Sequence, residues 1–364
     1  MDAPHTVARH IHVIYTGGTI GMVPNPHTGS LVPGRLDLLL EHAPALGLIP
    51  GVELSFATLE PPVDSSDMGP TQWRRLASLI AKAYDQHDGF VVLHGTDTLS
   101  YTASALSFML QGLAKPVVLT GSQLPIAQAG SDAPRNLRDA VAACAATDAD
   151  STQAILQEVA VCFGGAVMRG NRSTKTSSTA FQAFSSPNLA PLGRVAEDGT
   201  VEFDRTATLR AGSTPDTSEG TQPPNASPKA FLELEPAVAM VWVHPGLEAR
   251  QLRSQLEAPG IKGAVLASYG AGNMPTDKPF TRVLRDAADR GLLLAAISQC
   301  SHGGVAMGRY EASKALSEAG VAAGADMTLE AALTKAMHLL GQGFDARESA
   351  SLMRVPLAGE LTVR

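Results

Sequence analysis

A short, mostly apolar run, Ile11 to Tyr15, ends in Thr16-Gly17-Gly18-Thr19-Ile20-Gly21. The run reads as a buried strand, and the paired glycines break it. Glycine has no Cβ, so the backbone can turn sharply there and a ligand can approach closely. The same signature returns at Phe90-Val91-Val92-Leu93, which runs into His94-Gly95-Thr96-Asp97-Thr98. In open α/β sheets ligands bind outside the carboxyl ends of the strands. Two such ends, both carrying threonine, point to one site that handles a small polar molecule.

The rest of the chain alternates strand and helix. Val52 to Leu59, Pro116 to Thr120 and Val159 to Phe163 read as strands, and Leu36 to Leu46 as a short helix. A helix from about Thr71 carries Trp73, Leu76, Ile80 and Tyr84 on one face, a core stripe at helical spacing. Further helices are expected from about Thr98 to Leu113 and Arg135 to Ala146. Strands and helices alternating at this rate predict a parallel, doubly wound sheet. Met22 to Gly34, rich in Pro, Gly, Asn and His, reads as a loop, and the polar stretch 122–133 as another. Residues 206 to 228 hold four prolines and lack apolar spacing. Beyond them Val238–Val243, Gly263–Ser268 and Leu292–Ile297 read as strands, and Arg282–Asp289 and Leu329–Leu340 as helices. With 364 residues, two domains are expected. The larger α/β domain, 1–205, has a doubly wound, mostly parallel sheet; a linker, 206–230, leads to a smaller C-terminal α/β domain, 231–364.

Several function classes fall away. A formal charge of −7 and a pI near 5.8 argue against a nucleic-acid binder, which needs a basic face. No run approaches a membrane span, and Ile11 to Tyr15 is too short for the apolar core of a signal peptide. Cys144, Cys162 and Cys300 are odd in number and lack metal spacing, which fits a reducing compartment. A cytoplasmic enzyme without metal or cofactor is expected. The first glycines do not make G-x-G-x-x-G, and no phosphate-loop pattern occurs.

Read alone, the polar residues leave alternatives open. Thr19 has a poor nucleophile for a hydroxyl and needs a positioned base; it is equally a turn cap. Thr96 and Asp97 suit either a site or the start of the following helix. Lys175 lies in a polar stretch after a strand, where most lysines are merely solvated. Acting as a base requires burial or cationic neighbours, and Arg169 and Arg172 offer the second. His94 lacks a G-x-S-x-G elbow and reads as structural. Cys300 and His302 would share a face in an extended segment, without an evident orienting third group.

Together these segments resemble the bacterial-type L-asparaginase family, in particular its cytosolic type I branch. The resemblance rests on Thr16-Gly17-Gly18-Thr19-Ile20-Gly21, Asp64-Ser65-Ser66-Asp67-Met68, His94-Gly95-Thr96-Asp97-Thr98, Arg169-Gly170-Asn171-Arg172 with Thr174-Lys175, Tyr269-Gly270-Ala271-Gly272-Asn273, and Ala325-Asp326-Met327-Thr328. Each motif is short, but six in the same order span nearly the whole chain. The resemblance implies hydrolysis of L-asparagine to L-aspartate and ammonia through an acyl-enzyme. Thr19 would be the nucleophile, and Thr96, Asp97 and Lys175 a relay. The Thr96 N–H would lie near the developing oxyanion. Ser65 and Ser66 would hold the substrate's α-carboxylate and Asp97 its α-ammonium, with Thr96 beside the amide. Asn273 would arrive from a neighbouring subunit of a homotetramer built as a dimer of dimers.

Two departures matter. Many members carry a tyrosine in the loop after the first motif, where it helps to activate the nucleophile; here Ser30 stands nearest, and Tyr310 is the candidate substitute, contributed across the dimer. Some type I relatives bind asparagine at a second, allosteric site through an arginine. Ala267 occupies that position, although Cys300 resembles another residue of that site, so hyperbolic kinetics are expected. Glutaminase-asparaginases and the amidase subunit of a tRNA-dependent amidotransferase share the scaffold. The latter usually has an extra N-terminal domain, whereas about ten residues precede the first strand here. A non-catalytic amino-acid sensor is a further alternative, against which the full relay argues.

Overall fold

The computed structural model describes residues 8–24, 28, 31–33, 49–148, 152–210, 228–306 and 311–363. The helix expected at Leu36–Leu46 lies outside the described residues, as do Ser30 and Tyr310. The described residues form two compact units. The first runs to Ala230, apart from Pro187–Leu189, which group with the second, from Phe231 onward.

The first unit contains, in chain order, β1 (Arg9–Tyr15), β2 (Met22–Pro24), β3 (Leu31–Pro33), β4 (Val52–Thr58), α1 (Pro70–Ala83), β5 (Gly89–Leu93), α2 (Leu99–Met109), β6 (Leu110–Gln111), β7 (Val117–Thr120) and α3 (Ala133–Ala145). It continues with β8 (Val159–Phe163), β9 (Ala166–Arg169), β10 (Thr174–Lys175), β11 (Phe184–Ser185), β12 (Gly193–Val195), β13 (Val201–Phe203) and β14 (Lys229–Ala230). An eight-stranded sheet has the order β13-β12-β9-β8-β7-β5-β1-β4. The stretch from β4 to β8 is parallel, and β9, β12 and β13 extend it antiparallel. β5 and β8 are buried along their whole length, as expected for parallel strands with both faces covered. Register matters most: Tyr15 pairs with both Thr58 and Leu93, and Leu93 with Thr120. Four neighbouring strands therefore end level, and the loops that leave them emerge side by side.

The doubly wound, mostly parallel sheet expected from the sequence is present, as is the buried stripe of Trp73, Leu76 and Ile80 on α1. Other expectations change. The Met22–Gly34 segment is not wholly loop, because β2 and β3 pair antiparallel at its ends. The helix expected to reach Leu113 stops at Met109; Leu110 and Gln111 pair with β14 instead, ahead of Gly112 at φ 74°. Lys175 is not on a plain loop. It follows a 3-10 turn, Gly170–Arg172, and pairs with Phe184 across β10 and β11. The stretch expected to be a linker is built into the first unit at both described ends. The Leu209 N–H donates to Glu158 at 2.7 Å, and β14 joins β6. Residues 211–227 lie outside the described residues.

The second unit contains β15 (Val238–Trp242), α4 (Ala249–Leu256), β16 (Gly263–Ser268), α5 (Lys278–Asp289), β17 (Leu293–Ser298), α6 (Glu311–Glu318), β18 (Ala322–Ala323), α7 (Leu329–Gly341) and α8 (Ala346–Leu352). Its four strands run parallel in the order β15-β16-β17-β18. Val241, Leu252, Leu266, Phe280, Leu284 and Leu294 belong to its core.

Candidate active site

The site is assembled by backbone contact at the ends of β4, β1, β5 and β7. A Cβ on Gly18, at φ 86°, would stand 2.2 Å from the Gly95 nitrogen, and a Cβ on Gly95 would stand 2.5 Å from Ser65 Oγ. No side chain fits at either position. This contact sets Thr19, Ser65 and Thr96 next to one another. Hydrogen bonds fix the three loops: Thr16 Oγ1 donates to the Leu93 carbonyl at 2.9 Å, Thr98 Oγ1 to the Ser65 carbonyl at 2.6 Å, and the Val63 N–H to the Thr16 carbonyl at 2.9 Å.

Lys175 reaches this cluster from β10. Its Nζ donates to Thr96 Oγ1 at 2.8 Å and to Asp97 Oδ1 at 2.7 Å. The Asp97 side chain is 67% exposed. An ion pair so open contributes at most about 1 kcal/mol to stability, so holding the fold does not account for this arrangement. A hydroxyl, an amine and a carboxylate held in hydrogen-bond contact are groups of the kind that can pass a proton from one to the next. The expected help from Arg169 is absent, because its guanidinium is turned to Glu158 at 2.6 Å and to the Ala207 carbonyl at 2.6 Å. Arg172 is buried. The Thr19 hydroxyl and the Thr96 backbone N–H have no hydrogen-bond partner among the described residues.

The two serines differ. Ser65 is buried against Gly95, and its hydroxyl makes no hydrogen bond among the described residues. Ser66 donates its hydroxyl to Asp64 Oδ1 at 2.8 Å, and its N–H to the same oxygen at 2.9 Å. Asn273 belongs to the second unit, where its N–H and carbonyl close a tight turn with Tyr269.

A residue not singled out in the sequence also borders Thr96. Gln123, just beyond β7, places Oε1 at 3.5 Å from Thr96 Oγ1 and donates Nε2 to the Ala180 carbonyl at 3.0 Å. Its signal was present: Gly121-Ser122-Gln123 after an apolar strand is a third instance of the strand–glycine–polar pattern.

His94 is structural, as its sequence context suggests. Nδ1 faces the Gly95 carbonyl at 2.7 Å, and Nε2 faces Thr102 Oγ1 at 2.8 Å, which in turn accepts from Trp73 Nε1 at 2.9 Å. Burial pushes its imidazole down to about 4, against the Gly95 carbonyl, which favours the proton. Between pH 4 and 6.5 the ring is then neutral when folded and protonated when unfolded. The stability it contributes is fully present above about 6.5 and lost as pH falls toward 4. His94→Gln is expected to flatten the pH slope of the unfolding free energy in that window by up to about one proton. Denaturant unfolding at a series of pH values measures this, and an unchanged slope would show that His94 titrates alike in both states.

The Cys300–His302 pair does not form. Residues 299–303 bend rather than extend, and the Cys300 N–H is taken by Ser298 Oγ at 3.0 Å. Among the described residues, no group of three or more His, Cys, Asp or Glu could hold a metal ion, and no helix is long and apolar enough to cross a membrane.

Similarity to known proteins agrees with the geometry. Residues 10–209 match the family described as Asparaginase, N-terminal, and residues 237–353 match the Glutaminase/Asparaginase C-terminal domain. The chain is 40% identical over 354 residues to L-asparaginase 1 of Escherichia coli K12, covering 97% of this chain and 98% of that one. The thermostable L-asparaginase from Thermococcus kodakarensis superposes with a TM-score of 0.84 at 34% identity, covering 98% of this chain and all of that one. L-asparaginase I from Vibrio cholerae gives a TM-score of 0.82 at 34% identity with the same coverage. With both halves matched and full-length relatives covered end to end, the chain belongs to the bacterial-type L-asparaginase family, in its type I branch.

Proposed function

We propose that this protein hydrolyses the side-chain amide of L-asparagine through an acyl intermediate on Thr19. The observation that carries this reading is the Thr96–Lys175–Asp97 relay beside a threonine whose hydroxyl is unengaged among the described residues. Thr19 Oγ attacks the amide carbon, and its proton passes to the leaving nitrogen. The C–N bond breaks, ammonia departs and an ester remains. Water then attacks the ester, giving a proton through Thr96 to Lys175; the C–O bond to Thr19 breaks, the proton returns from Lys175 to Thr19 Oγ, and aspartate is released. Lysine serves as a base only when uncharged. A substrate ammonium at Asp97 adds a cation beside Nζ, which favours loss of the lysine proton. The Thr96 N–H is the donor for the oxyanion, a contribution of roughly 3–4 kcal/mol.

In this reading the α-carboxylate sits on Ser65, whose hydroxyl is unengaged among the described residues, with the Ser66 hydroxyl already given to Asp64. Asn273 and Tyr310 come from a neighbouring subunit of a cytoplasmic homotetramer. The test is ammonia release from asparagine and from glutamine over a wide concentration range. Asparagine is expected to be hydrolysed with a hyperbolic dependence, because Ala267 lacks the fork that binds a carboxylate. Preference over glutamine rests on one methylene, about 1–3 kcal/mol. Folded protein that releases ammonia from neither substrate overturns the proposal; a sigmoidal curve overturns only its kinetic part.

A further inference from the structure

We infer that Gln123 is a positioning residue that sets the hydroxyl rotor of Thr96, an inference that rests on the proposed role of Thr96 in the relay. A hydroxyl has one proton to donate and lone pairs to accept with. Lys175 Nζ donates to Thr96 Oγ1 at 2.8 Å, so the Thr96 proton must point elsewhere, and Gln123 Oε1 stands 3.5 Å away. The amide cannot be turned over without loss. Its nitrogen is 3.0 Å from the Ala180 carbonyl, which only an N–H can satisfy, so the oxygen faces Thr96.

The backbone beneath Gln123 is held as firmly. The Asp132 carboxylate accepts from the Gln123 N–H at 3.1 Å, the Leu124 N–H at 3.2 Å and Asn136 Nδ2 at 3.0 Å. Asn136 Nδ2 also donates to the Gly121 carbonyl at 3.0 Å, while its Oδ1 accepts from the Gly164 N–H at 3.1 Å. Asp132, at the start of α3, thus fixes where the Gln123 side chain begins, and Ala180 fixes where it ends. Held in this way, Gln123 keeps a lone pair of Thr96 aimed at Lys175 between turnovers. The 3.5 Å separation is long for a hydroxyl donor. The Thr96 proton can therefore swing from Gln123 to Lys175 when the lysine loses its own.

Two variants test this in the intact enzyme. Gln123→Met keeps the length and removes the acceptor. It is expected to lower kcat for asparagine about two- to threefold, the low end of the range for one neutral hydrogen bond because this one is long, with KM unchanged. Gln123→Glu places a carboxylate near Thr96 and Lys175 and favours the lysine ammonium. It is expected to move the acid limb of the kcat–pH profile to higher pH, which a merely structural contact would not do. Wild-type kcat and an unshifted profile in both folded variants overturn the inference. So does a Gln123→Met effect confined to KM, which would make Gln123 a substrate contact. A wild type inactive on asparagine overturns the proposed function and this inference together. Active wild type with unaltered Gln123 variants overturns this inference alone.

Discussion

Thr19→Ala is expected to lower kcat for asparagine by about 10⁶-fold, the order seen when a nucleophile is removed from a relay that acts as a unit. The geometry makes this a sharp test, because the site holds two threonines and Thr96, not Thr19, touches the lysine. If Thr96 were the nucleophile, Thr19→Ala would leave much of the rate. The argument for Thr19 is one of vacancy. Its hydroxyl has no partner among the described residues, whereas Thr96 Oγ1 already lies between Lys175 and Gln123. A group committed to moving a proton between a base and water is poorly placed to become an ester as well. Lys175→Met separates the two roles further. In the proposed mechanism it removes the base that activates water, so the ester should outlive turnover and be found by mass spectrometry on the peptide that carries Thr19. An adduct on the peptide carrying Thr96 would reassign the nucleophile. Because the residues act together, Thr19→Ala with Lys175→Met should be no slower than Thr19→Ala alone.

How much of this was legible in the sequence follows from which interactions are local. Strand, glycine break and polar loop are written in consecutive residues, so the ends of β1 and β5 and the alternation of strand and helix could be read directly. The level ending of β4, β1, β5 and β7 could not, because register depends on pairing between segments far apart in the chain. Lys175 illustrates the gap. In sequence it is one cation in a basic stretch, and its neighbours suggested that Arg169 would tune it. In the fold Arg169 pairs with Glu158, and Asp97, 78 positions away in sequence, becomes the lysine's partner. Ser66 shows the same limit at shorter range: a hydroxyl assigned to a ligand is closed off by Asp64, two residues earlier. The helices α4 and α8 were missed for a different reason. They are short and largely polar, α4 burying only Leu252 and Leu256 and α8 only Ser349. Each is only about two turns long, so its apolar spacing is too brief to stand out in the sequence, and packing rather than propensity decides that it forms.

Glu360→Gln is expected to destabilise the second unit by about 3–5 kcal/mol, the cost of leaving one member of a buried ion pair alone. Lys335 on α7 and Glu360 are both fully buried, with Nζ 2.5 Å from Oε1. Burial pushes the Lys335 ammonium below its ordinary value even with Glu360 beside it, so the charge is tolerated only because it is surrounded. Nζ also donates to the carbonyls of Val355 at 2.6 Å and Met353 at 3.3 Å. The Glu360 carboxylate accepts from the N–H groups of Leu357 at 3.0 Å and Ala358 at 2.8 Å. The pair thereby ties the last turn of the chain, beyond α8, onto α7. A second tie lies nearby, where Asp326 accepts from the Thr362 N–H at 2.8 Å and from Thr362 Oγ1 at 2.6 Å. Lys335→Met should cost a similar amount, since it strands the carboxylate instead. The double variant Lys335→Met with Glu360→Leu should cost clearly less than the sum, because no uncompensated charge remains. It should still cost something, because the N–H groups of Leu357 and Ala358 lose their acceptor, at about 1–3 kcal/mol for each one kept from water. Denaturant midpoints at constant slope give all three values. Additive losses would mean that the two side chains act separately, one through Val355 and the other through Leu357 and Ala358, and that their contact contributes nothing to holding the C-terminal turn.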